Sequence, residues 1–157
     1  NHLSTLFPEV RLKQFLEMRG ADMGDEASVT ALSALWTGLL YDDVALDVAS
    51  ELVAEWTAEE RQELREEVPK TALNTPWPGD ILRFGDVKDA AREIVGISRS
   101  GLATRKRLND EGQDETVFLN TLDEVLAKKA TLADDLLMLY HGRWAQSVEP
   151  VFDEYKY

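Results

Sequence analysis

Apolar positions in this chain recur at helical spacing over most of its length, and only the opening stretch departs from that rule. Ala31, Leu32, Leu35, Trp36, Leu39 and Leu40 follow the acidic start Asp25-Glu26 and predict a helix over residues 27–40 with one buried side. Asp42 or Asp43 can cap a second helix, in which Val44, Ala45, Val48, Ala49, Leu52, Val53 and Trp56 form a single apolar stripe. Thr57 and Glu60 have the spacing of a capping box, so a short charged helix is expected over 58–67, with Pro69 just past its end. Asp86 opens a further helix through Val87, Ala90, Ala91, Ile94 and Val95 to about Lys106, where Arg105-Lys106-Arg107 is expected to cap the C-terminus.

Asn109 to Gln113 reads as a polar turn, and Asp114 begins a helix carrying Val117, Phe118, Thr121, Leu122, Val125 and Leu126. Thr131 with Asp134 starts another, carrying Leu132, Leu136, Leu137, Leu139 and Tyr140, which Gly142 is expected to close in the left-handed conformation. Residues 148–157 predict a last short helix with Pro150 in its first turn and with Phe152 and Tyr155 docked on the body. Between 70 and 85 the periodicity fails, and Asn74-Thr75-Pro76-Trp77-Pro78-Gly79-Asp80 marks a long loop with Trp77 as its anchor. The four Trp residues read as core or interface anchors, and no internal repeat is present.

The opening stretch has a different period. If Lys13 to Arg19 is one extended strand, Lys13, Phe15, Glu17 and Arg19 share one face, while Gln14, Leu16 and Met18 share the other. A carboxylate beside a guanidinium suits phosphoryl transfer, which is mostly positioning and charge neutralisation. On pattern alone the same pair reads more often as a solvated surface ion pair. The fold class expected is therefore mainly α, with a helical region over 23–157 following one N-terminal strand segment within 1–22.

Composition narrows the function classes. The 157 residues suit one domain, and 44% hydrophobic residues with 30% charged ones supply both a core and a polar exterior. A formal net charge of -13 repels phosphate backbones and anionic lipid, so neither nucleic acid nor membrane is expected as a partner. With no Cys and only His2 and His141, thiolate chemistry is absent and a zinc site is not expected. Lack of Cys is neutral between compartments but suits a reducing one, and the expected localisation is cytoplasmic.

The wording of Phe7-Pro8-Glu9-Val10-Arg11-Leu12-Lys13 and of Phe15-Leu16-Glu17-Met18-Arg19-Gly20-Ala21-Asp22 resembles the active-site strand region of glutamate–cysteine ligases of the plant and proteobacterial type. The resemblance continues through Trp36-Thr37-Gly38-Leu39-Leu40-Tyr41-Asp42, Val68-Pro69-Lys70-Thr71 and Trp144-Ala145-Gln146-Ser147-Val148-Glu149-Pro150, so it spans nearly the whole chain. It implies a C-terminal portion of a ligase whose antiparallel catalytic sheet holds ATP and Mg2+ and joins glutamate to cysteine, the first step of glutathione biosynthesis.

In that family a Glu-x-Arg strand serves the metal and the transferring phosphate. The match implies Glu17 as metal ligand, Arg19 as the catalytic and nucleotide-facing guanidinium, and Lys13 and Arg11 as further cofactor-binding cations. Glu9 and Asp22 lie in the same segment. Where plant relatives carry a regulatory cysteine this chain has Thr30, so disulfide control is not expected. One carboxylate and one guanidinium do not make a magnesium-nucleotide centre, and the chain is expected to be an inactive fragment whose partner is the upstream part of the same polypeptide. The alternatives are a non-catalytic acidic helical module that binds a protein partner, and an inactive ligase homologue.

Overall fold

A computed structural model describes residues 9–22, 24–78 and 84–155. Expectations for Phe7-Pro8, Gly79-Asp80 and the final Lys156-Tyr157 lie outside the described residues. A small antiparallel hairpin, β1 (Val10–Leu12) and β2 (Leu16–Met18), precedes the helices α1 (Glu26–Leu40), α2 (Asp43–Glu51), α3 (Ala58–Thr71), α4 (Val87–Arg105), α5 (Asn120–Lys128), α6 (Leu132–His141) and α7 (Val151–Glu154). The mainly α class with an N-terminal extended segment is therefore observed. None of the described helices is long and apolar enough to cross a membrane.

Local capping chemistry sets most of the helix starts. The Asp25 carboxylate accepts from the Ser28 amide at 2.8 Å, that of Asp42 from Ala45 at 2.9 Å, and that of Asp86 from Asp89 at 3.0 Å. Thr57 with Glu60, and Thr131 with Asp134, close reciprocal capping boxes at the starts of α3 and α6.

α4 is the central element and packs across α1, where both helices bring small residues to the crossing. A Cβ on Gly101 would lie 2.0 Å from the Gly38 carbonyl oxygen, and one on Gly38 would lie 2.2 Å from that of Ser98. The two backbones are therefore close enough that only glycine fits at either position. The buried Ser98 hydroxyl donates to the Leu35 carbonyl at 2.9 Å and adds a polar tie inside the contact. On one side of this crossing Ala34, Val95, Leu102, Leu119 and Leu126 form a core cluster with α5, and on the other Leu39, Ala45, Leu52 and Ile97 form a second with α2.

Several elements depart from the expectations. The stripe from Val44 to Trp56 is not one helix: α2 stops at Glu51, and tight turns over 52–55 re-aim Trp56 so that its ring meets Trp77 edge-on at 4.8 Å. Trp77 in turn meets Phe84 edge-on at 5.1 Å, shortly before α4 begins. Pro69 lies inside α3 rather than beyond it. That helix buries no residue, so the carbonyl a proline leaves unbonded faces water and the break is tolerated.

The run expected to be one helix from Asp114 is a 3-10 segment over Glu115–Leu119 followed by α5. Arg99 donates to the Thr116 carbonyl at 3.0 Å and pairs with Asp123, and Arg105 pairs with Glu115 at 2.6 Å. Arg105 is thus a tie between α4 and the 3-10 segment, while Lys106 supplies the left-handed cap with φ 50°. Gly142 is not left-handed, with φ -104°; the positive φ values fall on Ala145 and Gln146 instead. Tyr155 docks edge-on against the buried Trp144 as expected, but Phe152 is 72% exposed.

Candidate functional site: a charged hairpin face

The run expected to be one strand over 13–19 folds back on its own N-terminal neighbour. A lone strand would leave its amides and carbonyls without partners, and Val10 and Leu12 before the polar Lys13-Gln14 match Leu16 and Met18 after it. The chain pairs Val10 with Met18, Arg11 with Glu17 and Leu12 with Leu16. Lys13 to Phe15 form the turn, closed by the Lys13 amide donating to the Phe15 carbonyl at 2.9 Å. Beyond β2 the Arg19 amide donates to the Glu9 carbonyl at 2.8 Å and carries the pairing one step further.

This corrects the single extended face. Phe15 belongs to the turn and is 61% exposed, with the Lys13 ammonium 5.6 Å from its ring centre. Arg11 reaches Glu17 by cross-strand register rather than by sharing an unbroken strand. Alternation then places Arg11 and Glu17 on one face of the hairpin, and Val10, Leu12, Leu16 and Met18 on the other.

The charged face centres on Glu17. Its Oε2 accepts from Arg11 Nε at 2.6 Å, and its Oε1 lies 3.6 Å from Lys13 Nζ. The Arg11 hydrogen bond, reinforced by the charges of Arg11, Lys13 and Arg19, holds the Glu17 carboxyl below its ordinary value against the opposing pull of desolvation. Three cations around one carboxylate leave the cluster net positive in a protein whose overall charge is -13. Such a cluster attracts an anion with several oxygens. Glu9 sits apart from this group, its carboxylate 3.4 Å from Arg65 of α3, and Asp22 is exposed beyond the hairpin.

The donor set does not by itself suit a magnesium ion, which takes near-octahedral oxygen ligands. Among the described residues no group of three or more His, Cys, Asp or Glu could hold a metal. Glu17 offers a single carboxylate, and one of its oxygens is already engaged by Arg11.

A groove of about 470 Å³ lies elsewhere, lined by Asp25, Ser28, Val125, Lys128, Asp135 and Tyr155 among others, and no hairpin residue lines it. Three of its four acids have structural work: Asp25 caps α1, Asp135 pairs with Lys128, and Glu154 pairs with Arg143 and accepts from the Trp144 indole at 3.1 Å. The Arg11–Glu17 pair was the contact sequence reasoning missed. Its signal was the apolar-polar-polar wording Leu12-Lys13-Gln14 ahead of Phe15-Leu16, which permits a turn.

Comparison with known proteins gives this hairpin a context. The model of glutamate-cysteine ligase family 2 (GCS2) matches residues 1–154. The chloroplastic glutamate–cysteine ligase of Nicotiana tabacum is 47% identical over 157 residues, covering 100% of this chain and 28% of that protein. That of Arabidopsis thaliana is also 47% identical with the same coverage, and that of Solanum lycopersicum is 46% identical. The chain thus spans about 28% of the length of these relatives. Their names correct the cytoplasmic expectation, because all three are chloroplastic proteins and a lack of Cys is compatible with either compartment. A match over residues 1–154 and this level of identity along the whole chain place the chain in glutamate–cysteine ligase family 2.

Proposed function

We propose that this chain is part of an ATP-dependent glutamate–cysteine ligase and that its hairpin forms one wall of the active site. In the proposed reaction the side-chain carboxylate of glutamate attacks the γ-phosphorus of ATP, releasing ADP and leaving a glutamyl phosphate. The amine of cysteine then attacks the acyl carbon, phosphate departs with the bonding pair, and the amine proton passes to solvent or a base. The product is γ-glutamylcysteine.

The observation that carries this reading is the clustering of Arg11, Lys13 and Arg19 around Glu17 on an exposed hairpin. Phosphoryl transfer spreads charge over the equatorial oxygens of the moving group, and fixed cations lower that barrier without reorganising. Arg19 is proposed as the residue that stabilises this charge, since a planar guanidinium can meet two oxygens at once. Lys13 adds a point charge on the same cluster. Glu17 is proposed to contribute one carboxylate toward Mg2+, which in such enzymes neutralises phosphate charge. The remaining ligands and the nucleotide pocket are assigned to the upstream part of the polypeptide, which is consistent with a chain spanning 28% of its relatives.

Two measurements test the proposal. Calorimetric titration of the 157-residue chain with magnesium and ATP is expected to show no appreciable binding. In the full-length enzyme Arg19→Lys is expected to lower kcat by about 100-fold, the scale of losing one preorganised charge contact, and Glu17→Gln to weaken the metal dependence. Near wild-type kinetics for both variants would remove the site.

A further inference from the structure

We propose that Arg11 is a positioning residue for the Glu17 carboxylate and not a ligand of the nucleotide; this refines the ligase reading and rests on it. Arg11 and Glu17 are direct partners in the β1–β2 ladder, so backbone register alone holds their side chains together. The Arg11 Nε–H donates to Oε2 at 2.6 Å, while Lys13 Nζ stands 3.6 Å from Oε1, beyond hydrogen-bond reach. One carboxylate oxygen is thereby fixed and the other is presented.

Turning the whole Arg11 guanidinium away from Glu17 so that its fork meets a phosphate would cost the Nε bond and would leave Glu17 with one fewer cation beside it, facing a polyanion. The penalty for leaving a carboxylate less compensated near phosphate oxygens opposes that move. Arg11 therefore acts through Glu17. Both side chains retain partial exposure, 43% for Arg11 and 30% for Glu17, so the pair lies at a surface another segment or ligand can reach.

The test is a double-mutant cycle in the full-length ligase containing this chain, with Arg11→Ala, Arg11→Lys, Glu17→Gln and the combination Arg11→Ala/Glu17→Gln. A positioning role predicts that Arg11→Ala lowers kcat by about tenfold, that Arg11→Lys recovers part of the loss, and that the loss vanishes once Glu17 is already Gln. It also predicts that ATP binding measured by calorimetry stays within about twofold of wild type. Among the described residues β1 packs on β2 and on none of the helices, so global folding, checked by the thermal midpoint, is expected to survive all four variants.

A roughly tenfold weaker ATP affinity in Arg11→Ala, or losses that multiply in the combined variant, would overturn the inference and make Arg11 a direct ligand. An Arg11→Ala enzyme with wild-type kcat would overturn it as well. Failure of the underlying site reading looks different: there Glu17→Gln itself leaves kcat and metal dependence unchanged.

Discussion

Replacing Gly101 by alanine tests the α1–α4 crossing on which the helical body rests. The added Cβ would stand 2.0 Å from the Gly38 carbonyl oxygen and 3.1 Å from the Ala45 side chain. The closest obstacle is backbone, so no rotamer change can clear it, and the helices must separate by about 1 Å or more to restore an ordinary contact. Separation loosens both core clusters at once, because Leu102 and Ala34 lie on one side of the crossing and Leu39 and Ala45 on the other.

Overpacking of this kind costs about 3 kcal/mol at the upper end of its usual range, and the helix propensity gained by replacing glycine offsets about 1 kcal/mol. Net destabilisation of about 2 kcal/mol is expected. Gly96, in the same helix, provides the control, since a Cβ there meets nothing within 4 Å. Gly96→Ala should stabilise by about 1 kcal/mol through propensity alone. For a domain of this size, thermal unfolding should show Gly101→Ala lower by about 4–8 °C and Gly96→Ala higher by about 2–4 °C. If both variants shift the midpoint in the same direction, the close backbone contact is not what excludes a side chain at Gly101.

Leu119 is fully buried in the cluster shared by α1, α4 and α5, so Leu119→Ala should cost about 2–5 kcal/mol in denaturant unfolding, and a cost below about 1 kcal/mol would mean the 3-10 segment collapses onto the cavity. Acid should destabilise the chain. The capping carboxylates Asp25, Asp42, Asp86, Asp114 and Asp134, together with Glu60, are held below the ordinary values of 3.8 for Asp and 4.5 for Glu, chiefly by hydrogen bonds from backbone amides and hydroxyls and, at Asp86, first by Lys88. Each lowered carboxyl binds its proton more readily in the unfolded chain, so its stabilisation is complete above the ordinary value and is lost as pH falls through the lowered one. Denaturant midpoints should therefore be flat near neutrality and fall below about pH 4.5, and a midpoint that rises on acidification would contradict the capping assignments.

How much of this was legible in the sequence depended on the range of the interaction involved. Capping is local chemistry within four residues, so Asp42, Asp86 and the boxes at Thr57 and Thr131 mark their helices without reference to any tertiary contact. Apolar periodicity likewise placed the cores of α1 and α4. Trp56 resisted, because its ring partner Trp77 lies beyond the whole of α3, and an apolar stripe read locally does not register a contact of that range. Gly142 resisted as well: the left-handed residues near it are Ala145 and Gln146, which directly follow the buried Trp144 and carry no glycine to mark them.

The same division runs through the site. The residue types were fixed by the chain itself: one carboxylate among Arg11, Lys13 and Arg19, in a segment of unusual wording. Their arrangement was not, since a period of two along one strand puts Glu17 beside Arg19 yet says nothing about what pairs across from it. Only the fold-back at Lys13–Phe15 brings Arg11 onto Glu17, because backbone groups left unpaired in a single strand are satisfied when the chain pairs with itself. Close approach of Gly38 and Gly101 was equally invisible, as a glycine in a helical pattern does not tell which distant backbone it admits. Local sequence determined the helices and the chemistry on offer; long-range register and crossing decided which of those groups meet.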